Sequence, residues 1–491
     1  MPERPHARVI GFPRRSPDNS GDPPVRKIVR NAKIASLPVA YAGRQAAGAG
    51  KRAFGRAARV DVDSDIQLRT AQHMFEVLGE LKGFAAKLGQ LLSLYELAMP
   101  PQIGEPYRIA LAQLQESAPA MLPATVERAM ADSLGDDWRV HFREFDIRRP
   151  AAASIGQVHR AIWHDGRTVA VKVMYPGARR SVHNDLDQLR RLSVLVPAVA
   201  PGADVKGVTE ALCAGVLEEL DYAQEAEYQR VFAATYAGDD DFVVPNVIAQ
   251  RGDVLITEWL DGTPLKNVLN STDQAERNRV GLLLMRFVLS SGARSGFLYC
   301  DPHPGNFRVM ADGRLGVLDF GACAPWPPPA FPAALVDMGD AIYNGSLDDL
   351  EAAIRRNGFA ADDTEFDVPA AAAAIAPVRE ILVHPTFKWT KSWLREQLLR
   401  AMDLRLSNVN RRLRVPAEFT PIARAVLATI GVLYQLEFEG PVRAEFVRWL
   451  PKSADFLDRF DAAGPAAAPP AGPLTLVNGP AFQVAPTWSP A

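Results

Sequence analysis

Apolar positions along this chain change period from one stretch to the next, and each period predicts an element. From Ser64 onward Met74, Leu78, Leu81, Ala85, Leu88, Leu92 and Tyr95 recur at helical spacing until Pro100-Pro101. Ser64 and Gln67 form a capping-box pattern at its start, so a long helix is expected there. Farther on, Gln157 to Trp163 and Thr168 to Val173 are short β-rich runs joined at Asp165-Gly166, which predicts a tight hairpin. Residues 299 to 321, YCDPHPGNFRVMADGRLGVLDFG, predict a second hairpin turning at Asp312-Gly313. After Phe331 the spacing is mostly helical. The first 24 residues are rich in proline and polar residues and the last thirty or so are of low complexity; neither pattern supports a packed core.

Composition changes this picture little. The chain has 491 residues, long enough for more than one structural unit, and its hydrophobic share of 48% and charged share of 23% are those of an ordinary globular protein. Three scattered cysteines (Cys213, Cys300 and Cys323) do not make a disulfide framework or a zinc site and point to a reducing compartment. The eight histidines show no ligand spacing; His159 and His164 fall on a strand and a turn, so no transition-metal site is expected. The nearest approach to a membrane span, Val280 to Tyr299, is broken by Arg286, Ser290, Ser291 and Arg294. A soluble, cytoplasmic catalytic body is therefore expected.

Charge is distributed unevenly behind a net value of -2. Val25 to Val60 carries nine Lys or Arg residues and no acid, interleaved with Ile28, Val29, Ile34, Leu37 and Phe54. Such a stretch suits either a solvated arm or peripheral contact with an anionic membrane surface, and it lacks the apolar run of a secretory signal. Within it AAGAGKR has part of a phosphate-loop pattern, but the first glycine is missing, Arg52 stands where Ser or Thr is needed, and no strand precedes it. Nothing points to a nucleic-acid partner, and the oligomeric state leaves no trace in the sequence.

The hairpin around Asp312 is where the chemistry concentrates. An aspartate (Asp301), an asparagine five positions on (Asn306), a short hairpin and then Asp319 in Asp-Phe-Gly follow the order in which protein-kinase-like enzymes place a catalytic base and two magnesium ligands. Lys172, in VAVK, projects from a strand where an ammonium can neutralise phosphate oxygens; taken alone it is as well read as an exposed strand lysine. Glu219, Asp221 and Glu225 lie on an expected helix, with Glu225 one turn beyond Asp221, a pattern that a solvated face shares. Where an ordinary kinase has glycines, the loop here runs PAAASIGQVH, with Ala151, Ala152, Ala153 and Ser154 before the one glycine, Gly156. It should be stiffer and grip phosphates differently.

Taken together, KLGQ at 87 to 90, AAASIGQVH at 151 to 159, VAVK ending at Lys172, ELD at 219 to 221, DPHPGN at 301 to 306 and DFG at 319 to 321 resemble the UbiB/AarF family of atypical kinases, in family order and from about residue 30 to 450. The resemblance implies an α+β, two-lobed protein-kinase-like fold: a disordered tail over 1–24, a basic segment and helical extension over 25–139, a small lobe with a helical insertion over 140–260, a helical lobe over 261–460 and a second tail over 461–491. It implies ATP and Mg2+ as ligands, with Lys172 on phosphate, Glu225 as its partner, Asp301 as catalytic aspartate, and Asn306 and Asp319 on magnesium. The Ala152, Ala153 and Ser154 loop and the backbone at Glu258 to Leu260 would line the nucleotide. Lys87 is expected near Glu219 and Asp221, with Gln90 turned toward the nucleotide.

The same resemblance implies ATP hydrolysis or phosphoryl transfer in isoprenoid lipid or quinone metabolism, since a helix over the protein-substrate site hinders phosphorylation of other proteins. Pro325, Pro327, Pro328 and Pro329 leave little room for an activation loop, and no phosphosite is expected there. The membrane helices that end some family members are not expected here, so lipid contact would be peripheral. One departure stands out: Tyr299 occupies a position where the family commonly has histidine. Two other classes share part of the pattern. A small-molecule phosphotransferase of the aminoglycoside-kinase kind shares the Asp301-to-Asn306 spacing but not KLGQ or the alanine run, and a nucleotide-binding pseudokinase scaffold would not need the intact Lys172, Asp301, Asn306 and Asp319.

Overall fold

The structure is a computed structural model that describes residues 120–193, 213–390 and 412–464, without Ser154, Ala214, Val216 and Asp362, and adds Ser392–Leu394 with Glu396 and Gln397. The KLGQ helix with Lys87 and Gln90, the basic stretch and both tails lie outside the described residues. The chain divides into two compact units: one includes residues 120–166 and 171–193, the other residues 167–170 and the chain beyond 196.

The described part of the first unit begins with α1 (Pro123–Leu134), started by a proline at its first position and ended at Gly135, whose φ of 104° admits glycine readily. β1 (Phe142–Phe145) pairs with β3 (Gly156–Trp163), and so does β2 (Ala151–Ala153), with Ala152 opposite Gln157 and Ala153 opposite Gly156. The alanine run expected as a loop is thus a short strand folded back on its neighbour. β3 turns at Asp165-Gly166 into β4 (Thr168–Met174), as its pattern predicts, with Gly166 at a φ of 97°. Val169, Val171 and Val173 are buried, and Lys172 takes the opposite side of the alternation. A Cβ on Gly156 would lie 2.3 Å from the Val173 carbonyl oxygen, so this close backbone approach requires glycine. α2 (Ala178–Ser193) follows.

Inside this unit Trp138 packs edge-on against Phe142 and Phe145, and Phe142 against Trp163. His159 is fully buried beside them. Its Nδ1 lies 2.8 Å from the Asp146 carbonyl and its Nε2 2.7 Å from Gln157 Nε2, while Gln157 Oε1 accepts from Met121 N. That arrangement is satisfied by a neutral imidazole protonated on Nδ1. His159 is therefore a core strand residue, as the sequence suggested.

The second unit begins its described part with the end of a helix near Leu217 and then α3 (Tyr222–Thr235). Asp221 is the N-cap of α3, accepting from Ala223 N and Gln224 N. The acids at 219 to 225 therefore do not share one continuous helix: Glu219 lies in the turn, Asp221 caps, and only Glu225 is helical. β5 (Phe242–Val243), β6 (Val247–Arg251), β7 (Val254–Glu258) and β8 (Gly262–Pro264) follow, with β6 antiparallel to β7 and Trp259 N donating to the Thr168 carbonyl. α4 (Leu265–Leu269) leads to α5 (Gln274–Ser295), the long central helix, capped by Asp273 and ended at Gly296 in the left-handed region.

β9 (Phe297–Tyr299), β10 (Phe307–Met310), β11 (Leu315–Val317) and β12 (Cys323–Pro325) come next. β10 and β11 form the expected hairpin turning at Gly313; β5 lies parallel to β11, β8 pairs with β10, and β9 pairs with β12. The remainder is mostly helical: α6 (Phe331–Tyr343), α7 (Leu347–Arg356), α8 (Val368–Val383), α9 (Thr420–Gln435), α10 (Val442–Trp449) and α11 (Ala454–Ala463). The core of this unit gathers Phe232, Phe242, Phe287, Tyr299, Phe307 and Phe320 with Leu284, Leu436 and Phe438. Ala417–Gln435 is long and apolar enough for a membrane span by length and composition, a stretch the sequence reading passed over. Ala425, Val432 and Leu433 on it are buried in this core, while Val426 and Leu427 are exposed.

Candidate functional site

Two strand pairings bring the polar groups of the second unit together. In the β10–β11 hairpin Phe307 stands opposite Val317, so Asn306 and Leu318 face each other at its open end, and Leu318 N donates to the Asn306 carbonyl at 2.9 Å. In the β9–β12 pair Tyr299 stands opposite Cys323 and Cys300 N donates to the Ala322 carbonyl at 3.0 Å. Asp301 leaves one pairing and Asp319 the other, so both arrive at the same end.

Local hydrogen bonds then fix the groups. Asn306 Nδ2 donates to the Asp301 carbonyl at 3.0 Å, a bond that leaves its Oδ1 available. His303 Nδ1 accepts from Gly305 N at 3.1 Å, which tightens the DPHPGN turn. Asp319 Oδ1 accepts from Gly321 N at 3.0 Å. Gly321 is the focus: a Cβ there would lie 3.2 Å from Asp319 Oδ1, 3.8 Å from Glu225 Oε2 and 3.9 Å from the Glu219 Cα. Glu225 is buried on α3, and Asp301, Asn306 and Asp319 are half-buried.

The other expected site residues are distributed over both units. Lys172, Ala152 and Ala153 belong to the first unit, on β4 and β2; Ser154, Lys87 and Gln90 lie outside the described residues. Glu258 ends β7 in the second unit, and its carboxylate accepts from Asn246 N and Nδ2 at 3.0 and 2.9 Å. Glu258 N also donates to the Asn246 carbonyl at 3.0 Å, so this segment is tied at the start of β6 through both side chain and backbone. Leu260 packs close to Gly316 of β11.

One charged group here was not singled out in the sequence. Arg424, on α9, pairs with Glu218 at 3.2 Å. Burial works against its charge, but Asp301 and Glu218 outweigh burial and hold the guanidinium above its ordinary range. A Cβ on Gly215 would come within 2.8 Å of its Nη1, so glycine there lets the arginine through. The clue available in the sequence is a single arginine inside the apolar run Ile422 to Leu433. The three cysteines are free and buried; Cys300 is pushed up to about 12 by desolvation, and Cys323, also by desolvation first, is raised well above its ordinary value.

The strand pairings, the β10–β11 hairpin and the helical remainder define a protein of kinase-like fold. The ABC1 atypical kinase-like domain matches residues 113–346. The chain belongs to the ABC1 atypical kinase-like family, to which the UbiB/AarF resemblance pointed. It is 32% identical over 323 residues to the mitochondrial atypical kinase coq-8 of Caenorhabditis elegans, covering 62% of this chain and 41% of that protein. To the mitochondrial atypical kinase COQ8 of Saccharomyces cerevisiae it is 32% identical over 252 residues, covering 50% of this chain and 49% of that protein. The chain spans about half the length of such curated relatives. Among solved structures, the complex of Rv3197 with erythromycin from Mycobacterium tuberculosis shares 34% identity at a TM-score of 0.58, covering 81% of this chain and 100% of that one.

Proposed function

We propose that this chain binds Mg-ATP and works as an atypical kinase-fold ATPase or phosphotransferase in isoprenoid lipid or quinone metabolism. The gathering of Asp319 and Glu225 at Gly321, with Asn306 tied to the Asp301 backbone at the end of the same hairpin, carries the reading. An amide oxygen and a carboxylate, joined by one hairpin, suit magnesium, which takes few protein oxygens and fills its shell with water and substrate phosphates. In this reading Asn306 and Asp319 hold the cation, whose contribution is to neutralise phosphate charge.

The remaining roles fall to the chain's own groups. Asp301 orients the attacking hydroxyl or water and accepts its proton. Lys172 neutralises phosphate oxygens, Glu225 is its partner, and the Ala152 to Ser154 segment lines the phosphates. Glu258 and Leu260 offer backbone groups to the base. Lys87 and Gln90, together with Glu219 and Asp221, regulate access. ATP and ADP are the soluble ligands; an isoprenoid lipid or quinone intermediate and an anionic membrane surface are the further partners.

The test is magnesium-dependent ATP hydrolysis by the purified protein, with and without anionic liposomes, beside Asp319→Asn. Turnover should rise with liposomes and fall by about 100-fold or more in the variant, the scale of losing one transition-state contact. Nucleotide binding without turnover under either condition would replace this reading with a pseudokinase scaffold. One observation favours a second reading: a 34% identical relative is solved with erythromycin, so a large amphipathic macrocycle is a candidate ligand. Saturable erythromycin binding that leaves ATP turnover unchanged would separate the two.

A further inference from the structure

His303 lies inside the turn that carries Asp301 and Asn306. Pro302 and Pro304 flank it and have no N–H, so the turn from 302 to 306 contains three backbone donors, those of His303, Gly305 and Asn306. His303 takes part in all three bonds. Its own N donates to the Asp301 carbonyl at 2.7 Å, its carbonyl accepts from Asn306 N at 2.9 Å, and its Nδ1 accepts from Gly305 N at 3.1 Å. The ring is seated against the turn: a Cβ on Gly305 would lie 3.1 Å from Nδ1 and 3.5 Å from Cε1. Because Nδ1 accepts, the proton of the neutral imidazole is on Nε2.

These bonds bear on the groups at the two ends of the turn. The Asp301 carbonyl accepts from both His303 N and Asn306 Nδ2, at 2.7 and 3.0 Å, and so uses both lone pairs to tie the start of the turn to its end. Proline fixes φ at 302 and 304, whereas glycine leaves it open at 305. Gly305 is therefore the weak point. The imidazole holds its N–H as an N-cap does, at the start of the short 3-10 turn Pro304–Asn306. We infer that His303 is a positioning residue whose Nδ1, by holding Gly305 N, sets the spacing of Asp301 and Asn306. The inference rests on the Mg-nucleotide reading of the site, in which those two are the base and a cation ligand. Loss of a group that orients a ligand in this way lowers metal affinity or activity by about 10- to 100-fold.

The experiment compares wild type, His303→Leu, His303→Asn and Asp319→Asn in the full chain. Leucine and asparagine branch alike at Cγ, and asparagine Oδ1 stands as many bonds from Cα as histidine Nδ1, so the two variants differ in whether an acceptor faces Gly305 N. Mn2+ binding in the presence of ADP is followed by electron paramagnetic resonance, the Mg2+ requirement by ATP hydrolysis, and folding by melting without metal. His303→Leu should fold, yet need about 10-fold more Mn2+ or Mg2+ for half-saturation. His303→Asn, with the acceptor restored, should recover most of that loss. A leucine variant with wild-type metal affinity overturns the inference, as does one that fails to fold, because the bond would then serve the fold alone. An asparagine variant as impaired as the leucine one also overturns it, by moving the role to the ring's other nitrogen. Wild-type Mn2+ affinity in Asp319→Asn would instead remove the metal reading itself.

Discussion

Arg286, in the middle of the central helix α5, joins two elements that support the site. Its Nε and Nη2 reach Glu445 Oε1 of α10 at 3.1 and 2.7 Å, and its Nη1 reaches Asp241 Oδ2 at 2.6 Å. The Asp241 carbonyl accepts from Leu315 N at the start of β11, the strand that leads to Asp319. Replacing Arg286 with methionine keeps an unbranched apolar stem of similar reach and removes all three charge-assisted bonds. Glu445 is only 6% exposed and would keep only the Trp449 indole, at 3.1 Å, and the edge of Arg448, at 4.0 Å. Asp241, more than a third exposed, turns to water and adds little.

Stranding a buried carboxylate costs about 3–5 kcal/mol. For a unit of this size that corresponds to a melting point lower by roughly 10 °C. The assay is thermal unfolding followed by tryptophan fluorescence, which includes Trp449 beside the broken pair. Adding Glu445→Leu to Arg286→Met removes the stranded charge and should restore all but about 1 kcal/mol of the loss. Two results would refute the reasoning: a loss under about 1 kcal/mol in Arg286→Met, or a double variant as unstable as the sum of the single ones.

Two further predictions concern the first unit. His159 has its pKa lowered from an ordinary 6.5, chiefly by desolvation, with Asp146 opposing, so the unfolded chain takes up the proton first. Stability is therefore fully present above pH 6.5 and falls as pH drops through and below that value; melting curves from pH 7.5 to 5 should show this slope, and His159→Gln should flatten it. Gly156→Ala drives a methyl to 2.3 Å from the Val173 carbonyl oxygen, a backbone atom that cannot step aside. It should cost about 1–3 kcal/mol by overpacking, measured by urea unfolding, and an alanine variant as stable as wild type would contradict the close approach.

Local patterns made much of this fold legible. Asp165-Gly166 and Asp312-Gly313 have the turn chemistry of their hairpins, and alternating valines set Lys172 apart from the buried face, so these elements stand where the sequence placed them. The alanine run became a strand because pairing with β3 outweighs alanine's weak strand preference, a tertiary effect that no local window contains. Asp221 caps α3 instead of lying within it, since a short acid satisfies helix-start N–H groups better than it extends a helix. Arg424 was missed because its partner, Glu218, is 206 residues away, and charge pairing at that range has no period. Tyr299 was visible as a departure, but its buried, unpartnered hydroxyl required the surrounding aromatic rings to be in place.

The site's geometry and the core of its unit rest on the same register. Phe307, Leu315 and Val317 are buried on the β10–β11 hairpin, and side chains on a strand alternate faces, so a slip of one residue would turn these apolar groups outward. Such a slip would also carry Asn306 away from Leu318 and remove the opposition that sets it beside the chain leading to Asp319. Selection for a dry core therefore helps specify the spacing of the two proposed cation ligands. The same logic holds at β9–β12, where buried Tyr299 and Cys323 face each other and deliver Asp301 and Gly321 to one end. Substitutions that merely loosen these buried positions should disturb the polar groups as well, because the two pairings carry Asp301, Asn306 and Asp319 to where their local hydrogen bonds form.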